Sequence, residues 1–148
     1  MRIGNGMTVS LEGVYAVDAG ALIDLVYDTN EGKALRASVL DESVSLLTHE
    51  YAVLELRYIL CRRLGRDEAW ARVEKLLASG YLIVEDASNL MDAAALLKCE
   101  RHISLPDCFT LALAQKYKAT ALFASREAEL IREMELKPFN TKIQFLKL

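Results

Sequence analysis

The chain has 148 residues, 53% of them hydrophobic and 26% charged, with a formal net charge of -3. That length suits one domain with a sizeable core, and the slight acidity excludes a protein that holds nucleic acid by bulk positive charge. Cys61, Cys99 and Cys108 are an odd number with no CxxC spacing, which gives neither a disulfide framework nor a zinc site and fits a reducing cytoplasm.

The N-terminal Met1 to Gly13 lacks the apolar core of a signal peptide. Met7, Val9 and Leu11 alternate with polar residues there, which predicts a short edge strand or else a loose arm ahead of a single domain over residues 14–148. No apolar run reaches the length of a membrane span, so no membrane partner is expected. Val14 to Val17 is an apolar, β-favouring run that ends in Asp18, and a helical pattern restarts at once over Ala19 to Tyr27. Asn30 is placed to cap a helix over Glu31 to Leu40. Ser43 to Leu47 reads as a second strand, and Thr48 as the N-cap of a long helix from His49 to Leu64 that Gly65 closes.

Asp67 to Ser79 predicts an amphipathic helix with Trp70, Val73, Leu76 and Leu77 on its inner face, ended by Gly80. Tyr81 to Val84 is a third strand, and Ser88 is placed to cap a helix over Asn89 to Arg101. Ser104-Leu105-Pro106-Asp107 opens a helix that runs to about Lys118. Ala121 to Ala124 is a fourth strand, a helix follows from about Arg126 to Met134, and Lys142 to Leu146 alternates as a last strand. Both histidines, His49 and His102, fall at helix ends without metal-ligand spacing. Strands alternating with helices imply an α/β/α sandwich around a mainly parallel sheet. The glycines form neither GxGxxG nor a P-loop, so no dinucleotide or nucleoside triphosphate cradle is supported.

Acidic residues stand at odd places in this pattern. Asp18 ends the first strand, at the sheet edge where open α/β folds place ligands, although it also suits an N-cap. Glu55 lies inside the apolar Ala52-Val53-Leu54-Glu55-Leu56, with Tyr58 and Ile59 rather than Lys or Arg at i+3 and i+4. A buried carboxylate there needs a hydrogen bond, a proton or a cation, unless it sits at the solvent boundary or bonds Tyr51 or Tyr58. Asp107 completes a capping box with Ser104, yet its first turn also points to the edge that holds Asp18. Glu127 reads as a first-turn acid behind the cap Ser125, with Glu129 as a competitor. If these acids converge, they repel unless a cation holds them. An all-oxygen donor set without paired His or Cys selects Mg²⁺ or Mn²⁺, as used to activate water against phosphodiesters.

This order of parts resembles the PIN domain, and within it the single-domain VapC-like toxin ribonucleases. The matching segments are Val17-Asp18-Ala19-Gly20-Ala21-Leu22, Ala52-Val53-Leu54-Glu55-Leu56, Ile103-Ser104-Leu105-Pro106-Asp107 with Ala112 and Ala114, and Ala121-Leu122-Phe123-Ala124-Ser125-Arg126-Glu127. The resemblance implies a PIN-like fold and endoribonuclease activity dependent on Mg²⁺ or Mn²⁺. Asp18, Glu55 and Asp107 would be the principal acidic metal ligands and Glu127 the fourth acid, with Ser125 supporting it in place of a Thr. It also implies a homodimer and an antitoxin that blocks the site. Two departures are visible: Gly20 replaces a usual Ser or Thr, and Glu127 replaces a usual Asp. Arg57, Arg62 and Arg126 are candidates for holding RNA, chosen by their nearness in sequence to the acids. Two other readings stay open: a PIN-like binding module that cuts nothing, and an unrelated doubly wound domain whose acids are all caps.

Overall fold

In the computed structural model, which describes residues 2–3, 7–8 and 11–147, the elements run β1 (Arg2–Ile3), β2 (Met7–Thr8), β3 (Gly13–Val17), α1 (Ala19–Tyr27), α2 (Asn30–Leu40), β4 (Val44–His49), α3 (Glu50–Leu64) and α4 (Arg66–Ala78). They continue with β5 (Leu82–Glu85), a 3-10 turn (Ala87–Asn89), α5 (Met91–Glu100), α6 (Leu105–Tyr117), β6 (Thr120–Phe123), α7 (Ala128–Leu136) and β7 (Ile143–Phe145). The main sheet has the strand order β5-β4-β3-β6-β7 and every neighbouring pair is parallel. Each connection therefore carries at least one helix across a face of the sheet, which is the expected sandwich. Among the described residues, no helix is long and apolar enough to cross a membrane.

The period-2 alternation of β3 divides the core. Tyr15 and Val17 face one apolar cluster with Leu22, Leu25, Leu35, Leu56, Leu60 and Val73. Ala16 faces the other, with Leu47, Leu97, Phe109, Ala121, Phe123 and Leu130. The first cluster is built by α1 to α4 and the second by α5 to α7, so the sheet is covered on both faces. Burying a leucine as fully as Leu22 stabilises the fold by about 1.5–3 kcal/mol.

Several local expectations change. β1 and β2 pair antiparallel with each other and do not join the main sheet; both sides of β3 are already taken by β4 and β6. Val9, part of the expected edge strand, lies outside the described residues. Thr29, not Asn30, caps α2, accepting the Gly32 N–H at 3.1 Å. Trp70 is exposed while Ala69, Val73 and Leu76 are buried, because α4 turns a narrower stripe inward than the spacing suggested. Ser88 falls within the 3-10 turn, and α5 begins after Leu90 with no side-chain cap. Gly65 closes α3 at φ +84°, a conformation that suits glycine, and its N–H bonds the Cys61 carbonyl.

Candidate functional site

Parallel strands end at a common edge, and helices leave from it, so the residue after each strand is delivered to one rim. Asp18 follows β3 and is the N-cap of α1: its Oδ1 accepts the Ala21 N–H at 2.9 Å. The same carboxylate accepts the Ala124 N–H just past β6, at 3.2 Å to Oδ1 and 3.4 Å to Oδ2. A helix cap thus also ties the ends of two neighbouring strands together. Desolvation raises the Asp18 pKa to about 7, against the two amide bonds, with the charges of Glu127 and Glu55 adding to the rise.

Asp107 sits in the first turn of α6, only 6% exposed. Ser104 caps that helix by accepting the Asp107 N–H at 3.3 Å, and it also bonds the Asp107 carboxyl. Pro106 occupies the first turn, where a missing N–H costs nothing. Burial first, then the charges of Glu127 and Asp18, push the Asp107 pKa up to about 7. Glu127 thus lies close enough to Asp107 for its charge to disfavour the ionised form of that carboxyl.

Glu55 is half-buried on α3. Burial raises its pKa, Glu127 raises it further, and a hydrogen bond to Tyr58 opposes both. Glu127 is exposed and takes the N-cap position of α7 without capping it through its side chain. The first-turn acid of α7 is Glu129. Ser125 is not the cap expected of it: it is exposed, and its carbonyl accepts the Glu127 N–H at 3.1 Å. Asp18, Glu55, Asp107 and Glu127 therefore come from four separate segments, and each feels the charge of at least one other. Of these, only Asp18 is a side-chain cap, and the four acids lie within range of one another's charge. Among the described residues, no group of three or more His, Cys, Asp or Glu side chains forms a ready-made metal cage.

The three arginines separate. Arg57 lies two residues from Glu55, about 200° around the helix, and engages α4 through Glu74 at 2.9 Å and the Trp70 ring at 5.5 Å. Arg62 is exposed and lies over the ring of Tyr58, 5.1 Å from its centroid, beside the residue that bonds Glu55. Arg126 is exposed next to Glu127 and stacks on Phe145 at 5.2 Å.

Gly20 has a local reason to lack a side chain. A β-carbon there would stand 2.6 Å from the Ala124 Cβ and 3.5 Å from both Asp18 carboxylate oxygens. Real β-carbons do not approach that closely, so the first turn of α1 can lie against the end of β6 only with glycine at this position.

Two residues at this rim escaped the sequence reading. Thr48, expected to cap α3, instead donates its hydroxyl to the Val17 carbonyl at 3.0 Å. The cap is His49, whose Nδ1 accepts the Ala52 N–H at 3.0 Å, while Nε2 meets the Thr110 hydroxyl of α6 at 3.0 Å. A hydroxyl within the apolar run Cys108-Phe109-Thr110-Leu111-Ala112 needs a buried partner, and that was the available signal.

A family model described as PIN domain matches residues 15–133. No curated protein matches the chain. Among solved structures, VapBC2 from Rickettsia felis, bound to a DNA fragment from their promoter, is similar with a TM-score of 0.69 at 13% identity, over 90% of this chain and 98% of that one. VapC20 from Mycobacterium tuberculosis, a Sarcin-Ricin loop cleaving toxin, gives 0.63 at 20% identity, over 81% and 94%. DNA-bound VapBC from Salmonella typhimurium gives 0.62 at 15% identity, over 92% and 99%. At these identities the likeness is one of fold.

Proposed function

The chain belongs to the PIN domain family, and from that premise we propose that it is a divalent-metal-dependent endoribonuclease, the toxin of a toxin–antitoxin pair. The observation that carries this reading is the mutual electrostatic strain of Asp18, Glu55, Asp107 and Glu127. Asp18, Glu55 and Asp107 are raised above their ordinary values by burial first and then by neighbouring acids, Glu127 among them, so the rim lacks positive charge. An all-oxygen donor set of that kind fits Mg²⁺ or Mn²⁺ rather than a softer metal. Asp18, Glu55 and Asp107 would hold the ion, with Glu127 assisting. Bound there, it would supply Lewis acidity toward a phosphate oxygen and toward water.

The protein's own part is positioning. Two backbone amides fix the Asp18 carboxylate, and Ser104 orients that of Asp107. Glu127, exposed near Asp107, would stand at the solvent side of the site. Arg62 and Arg126 would take the phosphates of an incoming strand at the rim, since both side chains are exposed, Arg62 over the Tyr58 ring and Arg126 over that of Phe145. The antitoxin, the homodimer and a cytoplasmic setting belong to the same proposal, as does a single nuclease domain over residues 14–148. The VapBC complexes among the similar structures support an antitoxin partner.

The test is cleavage of a structured RNA with Mn²⁺, beside calorimetric titration with Mn²⁺ alone. Asp18→Asn and Asp107→Asn should keep the fold and lose both uptake of the ion and cleavage. Full activity in either variant overturns the reading. A second reading, a PIN-fold binding module that cuts nothing, rests on Glu127 standing exposed where a shorter Asp is usual. Uptake of Mn²⁺ without cleavage would favour it.

A further inference from the structure

We propose that His49 is a positioning residue: its imidazole couples α3, which carries Glu55, to the first turns of α6, which carry Asp107, and so sets the spacing of those two carboxylates. The inference rests on the nuclease reading above and adds a residue to it.

His49 is 0% exposed, and both of its ring nitrogens are used. Because Nδ1 accepts the Ala52 N–H, the ring proton sits on Nε2 and is donated to the Thr110 hydroxyl. Thr110, 1% exposed, donates its hydroxyl to the Pro106 carbonyl at 3.3 Å, inside the turn that holds Asp107. An unbroken chain of donors therefore runs from the first turn of α3 to the first turn of α6.

Capping alone does not call for an imidazole. Ser, Thr, Asp or Asn would accept the Ala52 N–H with less to desolvate, and burial holds the His49 pKa down at about 4, so the ring is neutral. What the longer ring adds is the reach to Thr110, together with packing on Phe109 at 5.7 Å. Tyr51, two residues on, stacks on the same Phe109 at 5.3 Å, so ring packing accompanies the polar link between His49 and α6. The residue before His49 makes a matching tie: Thr48 bonds the Val17 carbonyl, directly ahead of Asp18. Consecutive residues at the end of β4 thus reach two of the other acidic segments.

Three variants test this. Thr110→Val keeps the shape and removes the hydroxyl; Thr110→Ser keeps the hydroxyl; His49→Asn keeps a capping oxygen but is too short to reach α6. Each is compared with wild type for Mn²⁺ affinity by calorimetry, for the kcat and KM of RNA cleavage, and for thermal unfolding. Thr110→Val and His49→Asn should stay folded, lose about 10–100-fold in Mn²⁺ affinity, and lower kcat with KM for RNA little changed. Thr110→Ser should restore wild-type values. Wild-type Mn²⁺ affinity and kcat in Thr110→Val overturn the proposal, as does failure of Thr110→Ser to restore them. Unfolding of both Thr110→Val and His49→Asn would make the link a stability element and overturn it too. A wild-type protein that neither takes up Mn²⁺ nor cleaves RNA removes the nuclease reading itself, and this inference with it.

Discussion

Gly20 and Ala124 meet so closely that one of them must lack a side chain: a β-carbon on Gly20 would lie 2.6 Å from that of Ala124. The contact seats the first turn of α1 against the end of β6, where the Ala124 N–H reaches the Asp18 carboxylate. Gly20→Ser should therefore destabilise the fold by about 1–3 kcal/mol through overpacking, lowering Tm by roughly 2–4 °C for each kcal/mol. Adding Ala124→Gly to that variant should recover most of the loss. A double-mutant cycle in urea measures the coupling, and additive effects would show that the two positions do not compete for space.

Asp18 and Asp107 both titrate near 7 in the folded protein, far above the ordinary carboxylate range. A folded state that holds its protons more tightly than the unfolded chain gains stability at low pH and loses it as pH rises through the folded pKa. His49, held down at about 4, acts in the opposite sense below its ordinary value of 6.5, but two aspartates and Glu55 outnumber it. The chelator-treated protein should thus become less stable between about pH 5 and pH 8, and saturating Mn²⁺ should flatten that slope. Urea midpoints across this range, with and without the ion, give the answer. A rising midpoint in chelator would contradict the assigned shifts.

Asp107→Asn should separate stability from activity. The amide keeps the shape and carries no charge, so at pH 8 without metal the variant should exceed wild-type stability by on the order of 1–3 kcal/mol. The same change removes a proposed ligand and should abolish Mn²⁺ uptake. A variant less stable than wild type in chelator would mean that the carboxylate is not under repulsion.

Arg57 and Arg62 should behave differently despite sharing a helix. Arg57→Ala breaks the contact with Glu74 and the cation–π contact with Trp70, and should change unfolding by about 1 kcal/mol with RNA affinity unaltered. Arg62→Ala and Arg126→Ala should weaken RNA binding and each reduce the salt-dependence slope by about 1. Filter binding over a salt series distinguishes them. An unchanged slope in both rim variants would remove these arginines from the RNA path.

Arg101 is buried at the end of α5, where its guanidinium bonds the carbonyls of Glu133, Lys137 and Pro138 beyond and within the last turn of α7 and lies 3.9 Å from the Phe139 ring centroid. The Glu133 carboxylate is 3.6 Å away and equally enclosed. Arg101→Ala removes this partner from the Glu133 carboxylate and from the Lys137 and Pro138 carbonyls, and should cost about 3–5 kcal/mol. Arg101→Ala with Glu133→Gln should cost less than Arg101→Ala alone, as measured by chemical denaturation.

The sequence by itself determined the succession of strands and helices, the parallel sandwich and the four acids worth watching. These follow from short-range periodicity: apolar runs ending at Asp18 and Thr48, and the Ser104-x-x-Asp107 box, are written within a few neighbouring residues. It could not show that Asp18 is both the cap of α1 and a partner of the Ala124 amide, or that the gap at Gly20 is filled by Ala124. Nor could it show that Arg57 faces α4 while Arg62 flanks Tyr58, or that His49 reaches Thr110. Each of those depends on segments far apart in the chain being brought side by side. Local pattern fixes which face of an element is apolar, and only packing decides what that face meets.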